Sequence, residues 1–214
     1  MSLCSTIIET RSYRAATEDR AAVFEHPEGC VIVVADGVGG RVGGGRAAEL
    51  VVASVARRLP ALKSLHKAVT WHLLLEAVDI DLRKDGGGGE TTAVVMAVTP
   101  TGLAGAAVGD SEAWSVMTAT QQPVVLAGRN RRKPYLGYGM STPESFVAGQ
   151  LKGTLLIATD GLFKYADINR IMSAVRLDDL KNAAETLAEL PKSSEGTYLD
   201  DLAIVLCRPH AANQ

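Results

Sequence analysis

Asp36 closes the apolar run "VIVVA", and Gly37 follows it at once. The same kind of junction recurs along the chain. Asp110 follows "AAVG", Asp160 follows "LLIAT", Asp200 and Asp201 precede "LAIVL", and Glu18 and Asp19 precede "RAAVF". One acidic residue at a strand end merely solvates it, and one Asp-Gly is a turn. Five apolar runs with the same junction point to a shared site. If those ends converge, the carboxylates repel and raise one another's pKa unless cations neutralise them. The donors are all oxygen, with no His or Cys among them, which suits hard divalent cations such as Mg²⁺ or Mn²⁺. Gly37 adds a further oxygen, because its carbonyl can approach an ion with no side chain in the way.

These carboxylates need elements to position them. "STIIET" and "CVIVVA" read as strands. Ala48, Val51, Val52, Val55 and Leu59 repeat at helical spacing, and Pro60 closes the run. A second helix is expected with Leu62, Leu65, Val69, Leu73, Ala77 and Ile80 on its buried face. After the break "DGGGGE" the period changes. "TTAVVMAV" and "LAGAAVG" are joined by the turn "TPTG", and "EAWSVMT" and "PVVLAG" follow closely. Turns this short impose antiparallel pairing, since parallel crossovers need a dozen or more residues. "GTLLIATDG" is a buried strand, followed by two helices, the second carrying Leu180, Ala183, Ala184, Leu187 and Leu190. "LAIVLCR" closes the chain as a strand. The order predicts an α+β layered sandwich rather than a βαβ alternation. Gly43, Gly45 and Ala48 form a loose GxGxxA too far past the strand for a dinucleotide fingerprint, and there is no Walker A sequence.

The gross numbers bound the reading. The chain has 214 residues, 47% of them hydrophobic and 21% charged, which suits one large domain or two small ones. A net charge of -2 gives no electrostatic basis for a nucleic-acid partner. No apolar run reaches the roughly 18 residues that span a bilayer, so no membrane association is expected. The N-terminus lacks the build of a signal peptide. The three cysteines, Cys4, Cys30 and Cys207, are an odd count without CxxC spacing, each in a strand-like run. They read as buried thiols of a cytoplasmic protein, without a metal role. Trp71 and Trp114 lie in periodic runs and are expected in the core.

Taken in order, "RAATED", "VVADGVGG", "GGETTAVV", "VGDSEAW", "LLIATDGLF" and "LDDLAIVL" resemble the motifs of the metal-dependent protein phosphatases, the protein phosphatase 2C family. The bacterial branch, including stage II sporulation E-like phosphatases, is nearest in length and in the Asp-Asp ending. The match runs from about Arg14 to Leu206, so the resemblance implies a single catalytic domain over residues 1–214. It implies an α-β-β-α sandwich, with two central antiparallel sheets flanked by helices and a binuclear Mn²⁺ or Mg²⁺ site in the cleft between them. By position, Asp36 would bridge the two metals. Asp160 and Asp200 would complete one set of ligands, with Asp201 the alternative to Asp200. Glu18 and the Gly37 carbonyl would serve the other metal, with Asp19 close by through water. Asp110 would join Asp160 at a third, weaker metal that some members carry. Arg14 would hold the substrate phosphate. The implied reaction is hydrolysis of phosphoserine or phosphothreonine in a protein substrate, by in-line attack of a metal-bridging hydroxide. The implied partners are that phosphoprotein and an opposing Ser/Thr kinase.

The sequence departs from the family in several places. Val38 stands where many eukaryotic members have a histidine proposed as general acid. Glu112 replaces a usual arginine after "GDS", and Thr17 and Asp201 replace usual asparagines. The segment from Thr118 to Gln150 is short. These departures keep a second reading open, a catalytically weak or inactive domain that binds a partner. A hydrolase of small phosphorylated metabolites is a third. The basic stretch "RNRRKP", residues 129–134, is a solvated loop or an attraction for an acidic phosphoprotein surface.

Overall fold

The computed structural model describes residues 3–13, 15–38, 43–87, 89–117, 122–128 and 133–210. Among these, the chain runs β1 (Cys4–Arg11), β2 (Arg20–His26), β3 (Gly29–Ala35), α1 (Gly44–Arg58), α2 (Ala68–Asp85), β4 (Ala93–Thr99), β5 (Gly102–Val108), β6 (Glu112–Val116), β7 (Val124–Ala127), β8 (Glu144–Ala148), β9 (Thr154–Ala158), α3 (Asp160–Phe163), α4 (Ile168–Val175), α5 (Leu180–Glu189) and β10 (Leu202–Pro209). The strands form two five-stranded antiparallel sheets, ordered β1-β10-β9-β6-β7 and β2-β3-β4-β5-β8. The α+β layered sandwich expected from the sequence is the observed fold.

Strand alternation builds the layers. On β3, Val31, Val33 and Ala35 join the core beneath α1 and α2, while Cys30, Ile32 and Val34 join the core between the sheets. On β10, Ala203, Val205 and Cys207 face the other sheet, and Leu202, Ile204 and Leu206 face α4 and α5. Strands buried on both faces carry no polar alternation, which is why "CVIVVA" and "LAIVLC" read as continuous apolar runs. Trp71 and Trp114 are both buried, as expected. No helix among the described residues is long and apolar enough to cross a membrane.

Two expectations need correction. The face assigned to the second helix divides: Leu65 is buried and Leu62 packs on the core, but both precede α2, and within the helix Val69, Leu73 and Ile80 are turned to solvent, 56%, 57% and 50% exposed. The buried face carries Trp71, Leu74, Leu75, Val78, Asp79 and Leu82. Apolar residues occur on both faces of α2, and the larger set, with Trp71, is the buried one; Asp79 is buried among them. Its carboxylate accepts hydrogen bonds from the backbone N–H groups of Gly137 (2.7 Å), Gly139 (2.9 Å) and Ser141 (2.8 Å). Gly137 and Gly139 have φ of 102° and 83°, the left-handed backbone that lets successive amides turn toward one acceptor. The second correction is β8, which the sequence reading missed. "ESFVA" is half-exposed and lies at the sheet edge, so no strong apolar signal marks it.

Candidate metal centre

Each acidic residue owes its position to the strand beside it. Extending the β3 alternation by one step puts Asp36 on the inter-sheet face with Cys30, Ile32 and Val34. The same parity on β2 carries Asp19 with Ala21 and Val23. Glu18 has the opposite parity and packs toward α1, where a Cβ built on Gly45 would lie 3.3 Å from the Glu18 Cα. Asp110 follows β5, and Asp160 opens α3 directly after β9.

Carboxylate oxygens of Asp36, Asp110 and Asp160 lie within 4.8 Å of one another. Asp19 reaches the same point, hydrogen-bonding with Asp36 and Thr159. It is 2% exposed, and its Oδ2 is buried without a hydrogen-bond partner among the described residues. Asp200 stands at the solvent edge, close enough for its charge to act on Asp160, with Lys164 Nζ 3.4 Å from its Oδ2. Asp201 has a different task. Its two oxygens accept from the backbone N–H groups of Tyr13 (2.8 Å) and Glu18 (2.7 Å), pinning the loop before β2. Arg14, Gly39, Gly40 and residues 129–132 of the basic stretch fall outside the described residues.

The backbone around Gly37 is tight. A Cβ there would sit 2.4 Å from the Gly44 carbonyl carbon, so only glycine lets the turn after β3 meet the start of α1. Thr92 N–H and Thr91 Oγ1 both donate to the Asp36 carbonyl, at 2.9 and 2.7 Å. Thr91 in turn exchanges backbone hydrogen bonds with Leu136 at 3.0 Å. The segment held by Asp79 therefore lies against the Asp36 turn.

The electrostatics follow from burial and crowding. Burial pushes Asp36 up to about 10, and the charges of Asp19, Asp160 and Asp110 add to it. Burial raises Asp19 to about 7, with Asp201 and Asp160 contributing. Asp160 is raised first by burial, then by Asp110 and Asp200. These groups cannot all ionise near neutral pH without a countercharge. The buried, unpartnered Asp19 oxygen and the all-oxygen donor set fit a hard divalent cation.

Three neighbours of the site escaped the sequence reading. Tyr135 is raised by burial and then by the charges of Asp110, Asp36 and Asp160. Lys164 supplies a cation at the Asp200 edge. Ser111 bonds Thr92 at 2.8 Å between the two strand ends. A serine after a glycine-aspartate pair is visible in the sequence, but nothing there marks Tyr135 or Lys164. Glu112 accepts a hydrogen bond from the Trp114 indole N–H at 2.7 Å.

Family models give no match to the chain, and comparison by sequence with curated proteins gives none. Solved structures do match. The serine/threonine phosphatase Stp1 from Staphylococcus aureus superposes with a TM-score of 0.83 at 20% identity, covering 99% of this chain and 98% of that one. The catalytic domain of the serine threonine protein phosphatase PstP, in complex with two manganese ions, gives 0.78 at 18% identity over 95% and 97%. The PPM Ser-Thr phosphatase MsPP from Mycobacterium smegmatis, in complex with cacodylate, gives 0.76 at 20% identity over 98% and 100%. The chain has the fold of bacterial PPM-type serine/threonine phosphatases. Nearly the whole of each chain takes part in the likeness.

Proposed function

We propose that the chain is a metal-dependent phosphatase acting as one catalytic domain on phosphoserine or phosphothreonine in proteins. The observation that carries this reading is the convergence of Asp19, Asp36, Asp110 and Asp160 at one end of a phosphatase fold. Asp36 is central to that group and would contact both cations of a Mn²⁺ or Mg²⁺ pair. Asp160 and Asp200 would hold one of them. Glu18 and the Gly37 carbonyl would serve the other, with Asp19 acting through water. Asp110 with Asp160 would offer a third position. Asp201 supports Asp200 as the ligand, because its own oxygens are taken by Tyr13 and Glu18 amides.

When bound, the cations supply an acidified water as nucleophile and positive charge against the phosphoryl oxygens. The chain's own residues do the positioning. Asp201 fixes Tyr13 and Glu18, which flank Arg14 in the sequence, and the planar fork of Arg14 suits the substrate phosphate. Thr91 and Thr92 hold the Asp36 carbonyl. Beside Asp110, a cavity of about 490 Å³ is lined by Gly109, Lys133, Pro134, Thr142 and Glu144, and offers room for residues flanking a phosphorylated side chain. A Ser/Thr kinase is the class of enzyme that would supply such a substrate.

The second reading, a weak or inactive binding domain, is favoured by Val38 in place of a general-acid histidine and by Glu112 engaged with Trp114. Hydrolysis of a phosphothreonine peptide separates the two. The reading expects turnover with Mn²⁺, none with chelator, and loss in Asp36→Asn and Asp160→Asn. A folded protein without turnover under any divalent metal supports the binding domain. Turnover confined to small phosphorylated metabolites supports the third reading.

A further inference from the structure

The three cysteines come from distant parts of the sequence and meet at one point. Cys4 on β1, Cys30 on β3 and Cys207 on β10 have sulfur atoms within 4.8 Å of one another. They are 4%, 1% and 0% exposed and belong to the core between the sheets. Cys4 and Cys207 come from one sheet and Cys30 from the other, so the cluster spans the interface. On β1 and β10, Thr6 rather than Cys4 is the register partner of Cys207. Cys4 is thus its diagonal neighbour, at a typical Cα separation of about 7–8 Å, long for a disulfide. Three sulfurs drawn around one centre need a smaller adjustment, because a metal joins them through two bonds of about 2.3 Å each.

A fourth group lies nearby. Glu25 is the register partner of Cys30 and shares the inter-sheet parity of Ala21 and Val23. It is exposed, and its charge acts on Cys4. Hydrogen bonds from Cys207 and Cys30 pull the Cys4 thiol down to about 4. Hydrogen bonds to Cys30 and Cys4, with burial, push Cys207 up.

We propose that Cys4, Cys30 and Cys207 form a trithiolate site for a soft, zinc-like divalent ion. Such an ion would tie β1 and β10 of one sheet to β3 of the other. No spacing marks it along the chain, since its three ligands lie on three separate strands. Thiolate donors select Zn²⁺ and its congener Cd²⁺ over Mg²⁺, so the site differs chemically from the carboxylate cluster. It does not depend on the phosphatase reading.

Cd²⁺ is the probe, because its thiolate charge-transfer absorption in the ultraviolet reports sulfur ligation and is silent for carboxylate binding. The reduced full-length chain, stripped with chelator and equilibrated with Cd²⁺, should develop this band to saturation at one equivalent. Zn²⁺ should bleach it, and Mg²⁺ in large excess should not. Cys4→Ser should reduce the affinity at least about tenfold, and Asp36→Asn should leave the titration unchanged. Cys4 is at the start of an edge strand, so Cys4→Ser spares the centre of the core; Cys30→Ala gives an independent check. No band at one equivalent, or a band of full strength in folded Cys4→Ser or Cys30→Ala, overturns the proposal.

Discussion

The two ends of the inter-sheet core hold opposite chemistry on the same strands. β3 has Asp36 just past one end and Cys30 near the other, on one face, six residues and about 20 Å apart. β10 repeats the arrangement with Asp201 before it and Cys207 near its close, and β2 with Asp19 and Glu25. Both ends crowd groups whose ionised forms repel. At the acidic end the oxygens are half-buried, a loop and helix starts surround them, and a cavity opens beside Asp110. At the other end the thiols are almost fully buried, with Glu25 across from Cys30 on β2. Burial alone therefore does not tell the two ends apart: the cavity beside Asp110 does.

The comparison breaks most decisively through activity. Asp36→Asn should lower phosphopeptide turnover at least about 100-fold, measured at saturating Mn²⁺, whereas Cys30→Ala should retain wild-type turnover. Equal losses from both would mean that the two ends are not functionally separate.

Asp79→Ala should destabilise the protein by about 3 kcal/mol, because three backbone amides lose a charged acceptor inside the fold. Urea unfolding measures it, and an unchanged midpoint would show that the 137–141 loop needs no anchor.

pH sharpens the contrast in chelated protein. The folded values of Asp19 and Asp36, about 7 and about 10, lie above the ordinary 3.8. Between those limits the folded state holds more protons than the unfolded chain, so stability falls as pH rises. The Asp19 share is lost from about 4 to about 7, and the Asp36 share continues toward about 10. Melting temperatures from pH 5 to 9 in chelator should decline, and Asp36→Asn should flatten the decline. A rising profile would contradict the crowding of these carboxylates.

The smallest effect separates two adjacent residues. Asp200→Asn should raise the Mn²⁺ concentration needed for half-maximal activity about tenfold. Asp201→Asn keeps one acceptor oxygen, so it should cost about 1 kcal/mol of stability and shift the Mn²⁺ requirement little. The reverse order would make Asp201 the ligand.

Much of the fold was legible because its strands are buried on both faces. "CVIVVA", "TTAVVMAV" and "LAIVLC" declare themselves as apolar runs, and short turns dictate antiparallel neighbours. The edge strand β8, half-exposed, left no such mark. The face of α2 is hard to read because apolar residues surround the helix and its buried face includes a carboxylate, which the sequence pattern assigns to solvent. At the site, Asp36, Asp110 and Asp160 were legible as strand-end carboxylates. Strand parity gives Asp19 and Glu18 different surroundings, one among the other carboxylates and the other against α1.

The sequence by itself determined the layered α+β architecture and the acidic chemistry of one end, because period-2 burial and residue type are local properties. Only the tertiary structure decided which carboxylates share a point, that Asp201 holds a loop, that Lys164 stands beside the cluster, and that three scattered cysteines meet. Those depend on register between strands far apart in the chain, which hydrogen bonding across the sheets and packing between them set together.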